Sequence, residues 1–222
     1  MENLRAIGLM VASMAGFAIE DMFIKWAAAD LPTGEILLIM GVIGAPLFAL
    51  MTWMQGQSVW SPAFFSGPVL TRNFGEMFGT WGFVTALSLV PLATVSAVLQ
   101  AMPLAVTCAA ALFLGQHVGW RRWTAICVGF LGVMIVIRPG MAGFQPNALW
   151  TVLAVIGLTL RDIATRKIPA QVSTMQVGAW GFLAVGLLGA LMLAKSGGAL
   201  VPTLPQAGFL GGALLFGMAA YW

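Results

Sequence analysis

Glu20, Asp21 and Lys25 stand within two helical turns of one another in "AGFAIEDMFIKWAA", residues 15–28, a run that is otherwise almost wholly apolar. Two carboxylates and an ammonium in such surroundings can carry protons or hold the charged end of a solute. Asp21 and Lys25 are four apart and share a helical face, so they are expected to pair, or Lys25 to snorkel to the surface. Glu20 points about 100° away and is left over. A second group comprises Arg72 and Glu76, again four apart, with Arg161, Asp162 and Arg166. No Ser or Cys nucleophile has a His partner, no Gly-rich loop ends in Lys, and no acidic cluster has metal spacing. Catalytic residues, cofactors and metals are therefore not expected, and an enzyme is set aside.

The elements that must position these residues follow from composition. Of 222 residues, 60% are hydrophobic and 8% charged, and the mean hydropathy is +0.97. Such a chain is expected to be an all-α, polytopic helical membrane protein whose first partner is the lipid bilayer. The net charge is +3 and no basic run exceeds two residues, which excludes nucleic acid as a partner. Cys108 and Cys127 lie in apolar runs, where a thiol behaves as a small hydrophobe, and His117 is the single histidine. Only Arg5 precedes the first apolar run, with no small-residue cleavage pattern, so this run is expected to stay as a helix.

Eight segments of spanning length are predicted, at roughly 6–28, 34–53, 69–89, 93–114, 121–138, 147–166, 175–194 and 207–222. With a cytoplasmic N-terminus, Arg5, Arg72, Arg121, Arg122, Arg166 and Lys167 fall inside, and Lys25, Arg138 and Lys195 outside. That bias favours N-in. Trp26 and Trp150 on one side, and Trp53, Trp60, Trp120 and Trp123 on the other, are expected to form interfacial belts.

A shift of 141 positions lays "AIEDMFIKWAAADLPTGE" on "TLRDIATRKIPAQVSTMQ": Asp21 meets Asp162, Lys25 meets Arg166, Gly16 meets Gly157 and Thr33 meets Thr174. Five segments precede the second copy, so the two copies run through the bilayer in opposite directions. An inverted repeat is expected, with residues 1–140 as a five-helix unit and 141–222 as an incomplete one of three helices. Two further helices would complete the second unit, and the chain is expected to be a piece of a longer protein.

Each unpaired charge at bilayer depth costs about 2.5–3.5 kcal/mol, so the three in the first segment would cost up to about 10 kcal/mol without compensation. From the helical rise, Glu20 lies about 21 Å along its segment, whereas Glu76 and Arg161 are level near the inner side and are expected to pair. The expected arrangement is an inner cluster of Arg72, Glu76, Arg161, Asp162 and Arg166 and a separate outer cluster of Glu20, Asp21 and Lys25. Glu20, with no cation in reach, is the candidate proton carrier. Pro103 removes a backbone donor in "LQAMPLAVT" and frees the carbonyl of Leu99, a hinge that persists at membrane depth only where protein or a cavity receives it. Gln100, one turn earlier, is expected to complete a polar wall. Gly75, Gly79 and Gly82 form a stripe for close helix approach, and Trp81 and Phe78 beside it are candidate stacking surfaces.

The stretch from Ala86 to Gly140, "ALSLVPLATVSAVLQAMPLAVTCAAALFLGQHVGWRRWTAICVGFLGVMIVIRPG", resembles the third to fifth helices of EamA-type transporters in the drug/metabolite transporter superfamily. The matching parts are "PLATVSAVL", the proline-broken fourth helix, "LFLG" and "GFLGVMIVI". The resemblance implies ten helices in two inverted halves, cytoplasmic termini and a central cavity carrying small solutes across the bacterial inner membrane. Gln116 departs from the glutamate usual after "LFLG". The E-D-x-x-x-K of the first segment is similar to a motif of branches moving riboflavin or S-adenosylmethionine; amino acids are a further solute class. The expected function is a secondary transporter working by alternating access, with protons as the coupling ion and a homodimer as the assembly to test. A channel or a non-transporting membrane scaffold is the alternative.

Overall fold

The computed structural model describes residues 2–140, 144–196 and 202–220, with side chains from Ile7 onward. Among these residues the regular structure is all helix: α1 (Glu2–Ala27), α2 (Thr33–Met54), α3 (Gly67–Leu89), α4 (Leu92–Leu99), α5 (Met102–Phe113), α6 (Trp120–Ile137), α7 (Leu149–Thr165), α8 (Thr174–Ser196) and α9 (Leu204–Ala220). Helix is the element that satisfies every backbone polar group within one segment, which a bilayer demands. Among the described residues six spans are long and apolar enough to cross a membrane, with α4 and α5 counting as one. The eight predicted segments are helical over their described residues, the fourth as two helices; α3 and the 17-residue α9 are not among the six, and the predicted end of the last segment at 221–222 lies outside the described residues.

That interruption falls at Gln100 and Ala101, immediately before Pro103 in the first turn of α5. Pro103 has no N–H to offer Leu99, so the chain closes with a tighter bond from Ala101 N to Val98 O and restarts with Ala105 N to Ala101 O.

Packing is organised as three antiparallel pairs: α1 with α9, α2 with α8, and α3 with α7. Small residues allow each approach. A Cβ on Gly157 of α7 would stand 2.6 Å from Gly79 Cα and 2.9 Å from Gly75 O, and one on Gly82 would stand 2.8 Å from Ala154 N. In α2 and α8, Gly41 and Gly186 leave no room for a side chain on either. In α1 and α9, Gly16 faces Ala220 and Phe216 O, while Ser13 Oγ donates to Ala220 O at 2.7 Å.

The densest packing lies at the end where α1 passes into α2. Ala27, Ile36, Leu37, Val84, Ala86, Leu87 and Val95 are fully buried there. At the opposite end, α8 holds the loop between α2 and α3. Gln176 Nε2 donates to Ser58 O at 2.6 Å, and Trp180 Nε1 donates to Val59 O at 2.9 Å. The outward faces of α1, α5 and α6 expose Leu9, Met10, Leu112, Phe113, Leu131 and Ile135, as suits lipid contact.

Candidate functional site

Three helices meet around a charged network. On α3, Arg72, Glu76 and Thr80 follow one another at four-residue spacing and so share a face. Arg72 Nη2 lies 2.9 Å from Glu76 Oε2, and Thr80 Oγ1 donates to Glu76 Oε1 at 3.3 Å. Arg161 on α7 reaches Glu76 Oε1 at 3.6 Å and Asp162 Oδ1 at 2.9 Å. Two guanidiniums thus balance two carboxylates at a depth where a lone charge would be costly. The approach depends on glycine. A Cβ on Gly75 would stand 2.6 Å from Arg161 N, and one on Gly181 of α8 would collide with the Arg72 guanidinium.

The network borders a cavity of about 710 Å³, within the range that encloses a small metabolite. Glu20, Asp21 and Phe17 line it from α1, Glu76 and Phe83 from α3, and Phe182 from α8, with Arg161 on α7 and Gln100 at the break between α4 and α5. Met14, Ser96 and Gln100 are exposed and mark its open side. A second cavity, of about 310 Å³, continues toward the loop between α7 and α8 and is lined by Asp162, Thr165 and Pro169. Arg72, Arg161 and Gly178 line both, so the ion network is the wall between them.

This geometry corrects four expectations. Glu20 and Asp21 do not form a cluster apart from Arg72, Glu76 and Arg161; all five line one cavity, because α1 and α3 pack close enough for both sets to face the same space. Lys25 does not pair with Asp21. Its Nζ donates to Leu87 O and, at 2.9 Å, to Val90 O, where the last carbonyls of α3 lack helical partners and the helix dipole favours a cation. Arg166 is exposed and stands outside the network. Trp81 turns away from the cavity onto Trp150, at a ring separation of 5.3 Å, and Phe78 packs between Phe74 and Trp81. The cavity aromatics are Phe17, Phe83 and Phe182 instead.

Asp162 lines the smaller cavity and Asp21 the larger one. Thr80 continues the four-residue spacing of Arg72 and Glu76 by one turn, so the sequence carries a signal for it. Asn73 Oδ1, which accepts from Arg72 Nη1 at 3.3 Å, had no such signal, nor had Glu35, which is 2% exposed in the first turn of α2.

Glu20 occupies an unusual seat. A Cβ built on Gly217 of α9 would stand 2.7 Å from Glu20 Cδ, so the carboxyl lies directly over that glycine. No cation stands within ion-pairing distance of Glu20 or Asp21 among the described residues.

Apolar helices enclosing a cavity bordered by charged side chains define an integral membrane protein. Residues 4–138 match the model of the EamA-like transporter family, and the chain belongs to that family. It is similar to the S-adenosylmethionine uptake transporter of Rickettsia felis, 25% identical over 74% of this chain and 55% of that one. It is also similar to the riboflavin transporter of Rhizobium johnstonii, 32% identical over 69% of this chain and 51% of that one. The chain spans about half the length of these two relatives. The pseudopaline exporter CntI of Pseudomonas aeruginosa is 27% identical over 91% of this chain and 72% of its own. One solved crystal structure shares the fold with a TM-score of 0.63, at 20% identity over 95% of this chain and 78% of that one.

Proposed function

We propose that the chain forms part of a secondary transporter that moves a small metabolite across the bacterial inner membrane by alternating access, its N-terminus cytoplasmic. The observation that carries this reading is the cavity of about 710 Å³, lined by α1 and α3 on one side and α7 and α8 on the other, with the Arg72, Glu76, Arg161 and Asp162 network dividing it from the vestibule beyond. Two halves rocking about such a cavity need a seal at each end. The apolar packing around Leu37 and Leu87 serves as one, and the ion network as the other.

The pairing of helices supports two inverted units, 1–140 and 141–222. Gly157 packs on Gly75 and Gly79; Gly16, 141 positions before Gly157, packs on Phe216 and Ala220, 141 positions after that pair. The shift of 141 positions therefore exchanges the α3·α7 contact with the α1·α9 contact.

Protons are the proposed coupling ion, with Glu20 as their carrier, because its carboxylate reaches the cavity and meets no protein cation among the described residues. The protein reconstituted in proteoliposomes is expected to give saturable counterflow of labelled S-adenosylmethionine or riboflavin. Flux that never saturates, together with an ohmic current, would overturn the carrier. Glu20→Gln is expected to keep counterflow of uncharged riboflavin and lose its accumulation driven by a proton gradient; retained accumulation would sink the coupling role.

A further inference from the structure

The exchange of halves by 141 positions sets Glu20 where the second half has Arg161, and Gly217 where the first half has Glu76. Arg161 and Glu76 meet at 3.6 Å and neutralise each other. Their counterparts also meet, since the Glu20 carboxyl lies over Gly217, but there the partner has no side chain at all. One half of the cavity thus carries a completed ion pair. The other keeps a carboxylate, with Asp21 beside it, and leaves the partner's place vacant.

The charges sharpen the contrast. Arg72 and Arg161 are taken up by Glu76 and Asp162, and Lys25 is committed to the carbonyls of Leu87 and Val90. Two carboxylates facing a largely apolar cavity are then unmatched by a cation among the described residues, an arrangement that costs several kcal/mol unless a positive group arrives. Phe17 and Phe182 line the same space and can meet the apolar or cationic parts of a solute. Arg72 is 5% exposed, lines the cavity and keeps its Nε without a hydrogen-bond partner.

We propose that Glu20 and Asp21, seated against Gly217, are the subsite for the positively charged group, ammonium or sulfonium, of a small organic solute. The assignment rests on the transporter reading for its purpose, but the subsite itself is a matter of binding. Gly217 keeps the carboxyl in place through its lack of a Cβ. Glu20 supplies the charge, and the ion pair in the opposite half keeps the remaining guanidiniums from cancelling it.

Binding to the purified protein in nanodiscs, followed by calorimetry, tests the assignment with S-adenosylmethionine, choline and lysine as cationic probes and riboflavin as the uncharged one. At least one cationic probe is expected to bind more tightly than riboflavin. Glu20→Gln is expected to weaken that probe at least tenfold while leaving riboflavin unchanged. Gly217→Ala retains the charge but moves the carboxyl, and is expected to weaken it three- to tenfold. Far-UV circular dichroism and gel filtration should show both variants folded. Failure of every cationic probe, or equal affinity in wild type and Glu20→Gln, overturns the subsite. Saturable riboflavin counterflow without cation binding overturns the subsite and leaves the carrier standing. Cation binding lost in Glu20→Gln, with no counterflow of any solute, supports the subsite and overturns the carrier.

Discussion

The carboxyl of Glu20 rests on Gly217, whose Cβ, if it had one, would stand 2.7 Å from the Glu20 Cδ. A helix-one acid is thereby held at a cavity wall by a residue on the last described helix, almost two hundred positions away. The contact links α1 to α9 as Arg161 links α7 to α3.

The close backbone approach between α3 and α7 gives the first prediction. In Gly157→Ala the new methyl would meet Gly79 backbone atoms, its Cα at 2.6 Å, and backbone cannot swing aside as a side chain tip can. A loss of about 1–3 kcal/mol is expected, as for other overpacked contacts. Gly132→Ala on α6, where nothing lies within 4 Å of the added atom, should match wild type or exceed it slightly. Thermal unfolding in detergent, read by gel filtration of the surviving monodisperse fraction, checks the pair.

Lys25→Met removes the donor that ties α1 to the last carbonyls of α3 while keeping the length of the side chain. Bonds from a charged donor contribute about 1.5–3 kcal/mol, and their loss is expected to loosen this end of the bundle first. Hydrogen–deuterium exchange should rise in residues 28–32 and 88–91 and stay unchanged in the loop between α7 and α8. Uniform exchange would mean that Lys25 is not a local tie.

The ion network is expected to be strongly non-additive. Arg72→Met alone leaves Glu76, whose side chain is 14% exposed, with the more distant Arg161 as its ion-pair partner, and should cost about 3–5 kcal/mol. Arg72→Met combined with Glu76→Leu removes both members of that pair, and should be less destabilised than the sum of the single changes by 1 kcal/mol or more. A double-mutant cycle on thermal stability measures the coupling.

Trp180→Phe keeps an aromatic ring against Phe64 and removes the bond to Val59 O. The expected cost is about 1 kcal/mol, with faster proteolysis across residues 55–61, because Gln176 alone then fastens that loop. Trp81→Phe should leave the affinity of every solute tested within twofold, since Trp81 packs on Trp150 rather than toward the cavity. A larger change would return it to the site.

Much of the architecture was legible locally. Crossing a bilayer requires about twenty apolar residues with every backbone group satisfied, so composition alone marks each segment. Pro103 marks the break at Gln100 because a missing N–H is a property of that residue and not of its neighbours. The meeting of Glu76 and Arg161 was legible too, since the helical rise converts sequence position into depth for antiparallel spans.

Depth is one coordinate, and azimuth is another. Whether Trp81 turned to the cavity or to Trp150, whether Lys25 met Asp21 or the carbonyls of α3, and what lay over Gly217 all depended on how each helix was rotated against its neighbours. Helix–helix packing sets that rotation through glycine contacts spread over distant parts of the chain, so no single segment contains it. The sequence by itself determined which charges enter the membrane-spanning segments. Only the tertiary structure decided which of them are neutralised by the protein, because pairing requires that two helices turn the same faces toward each other.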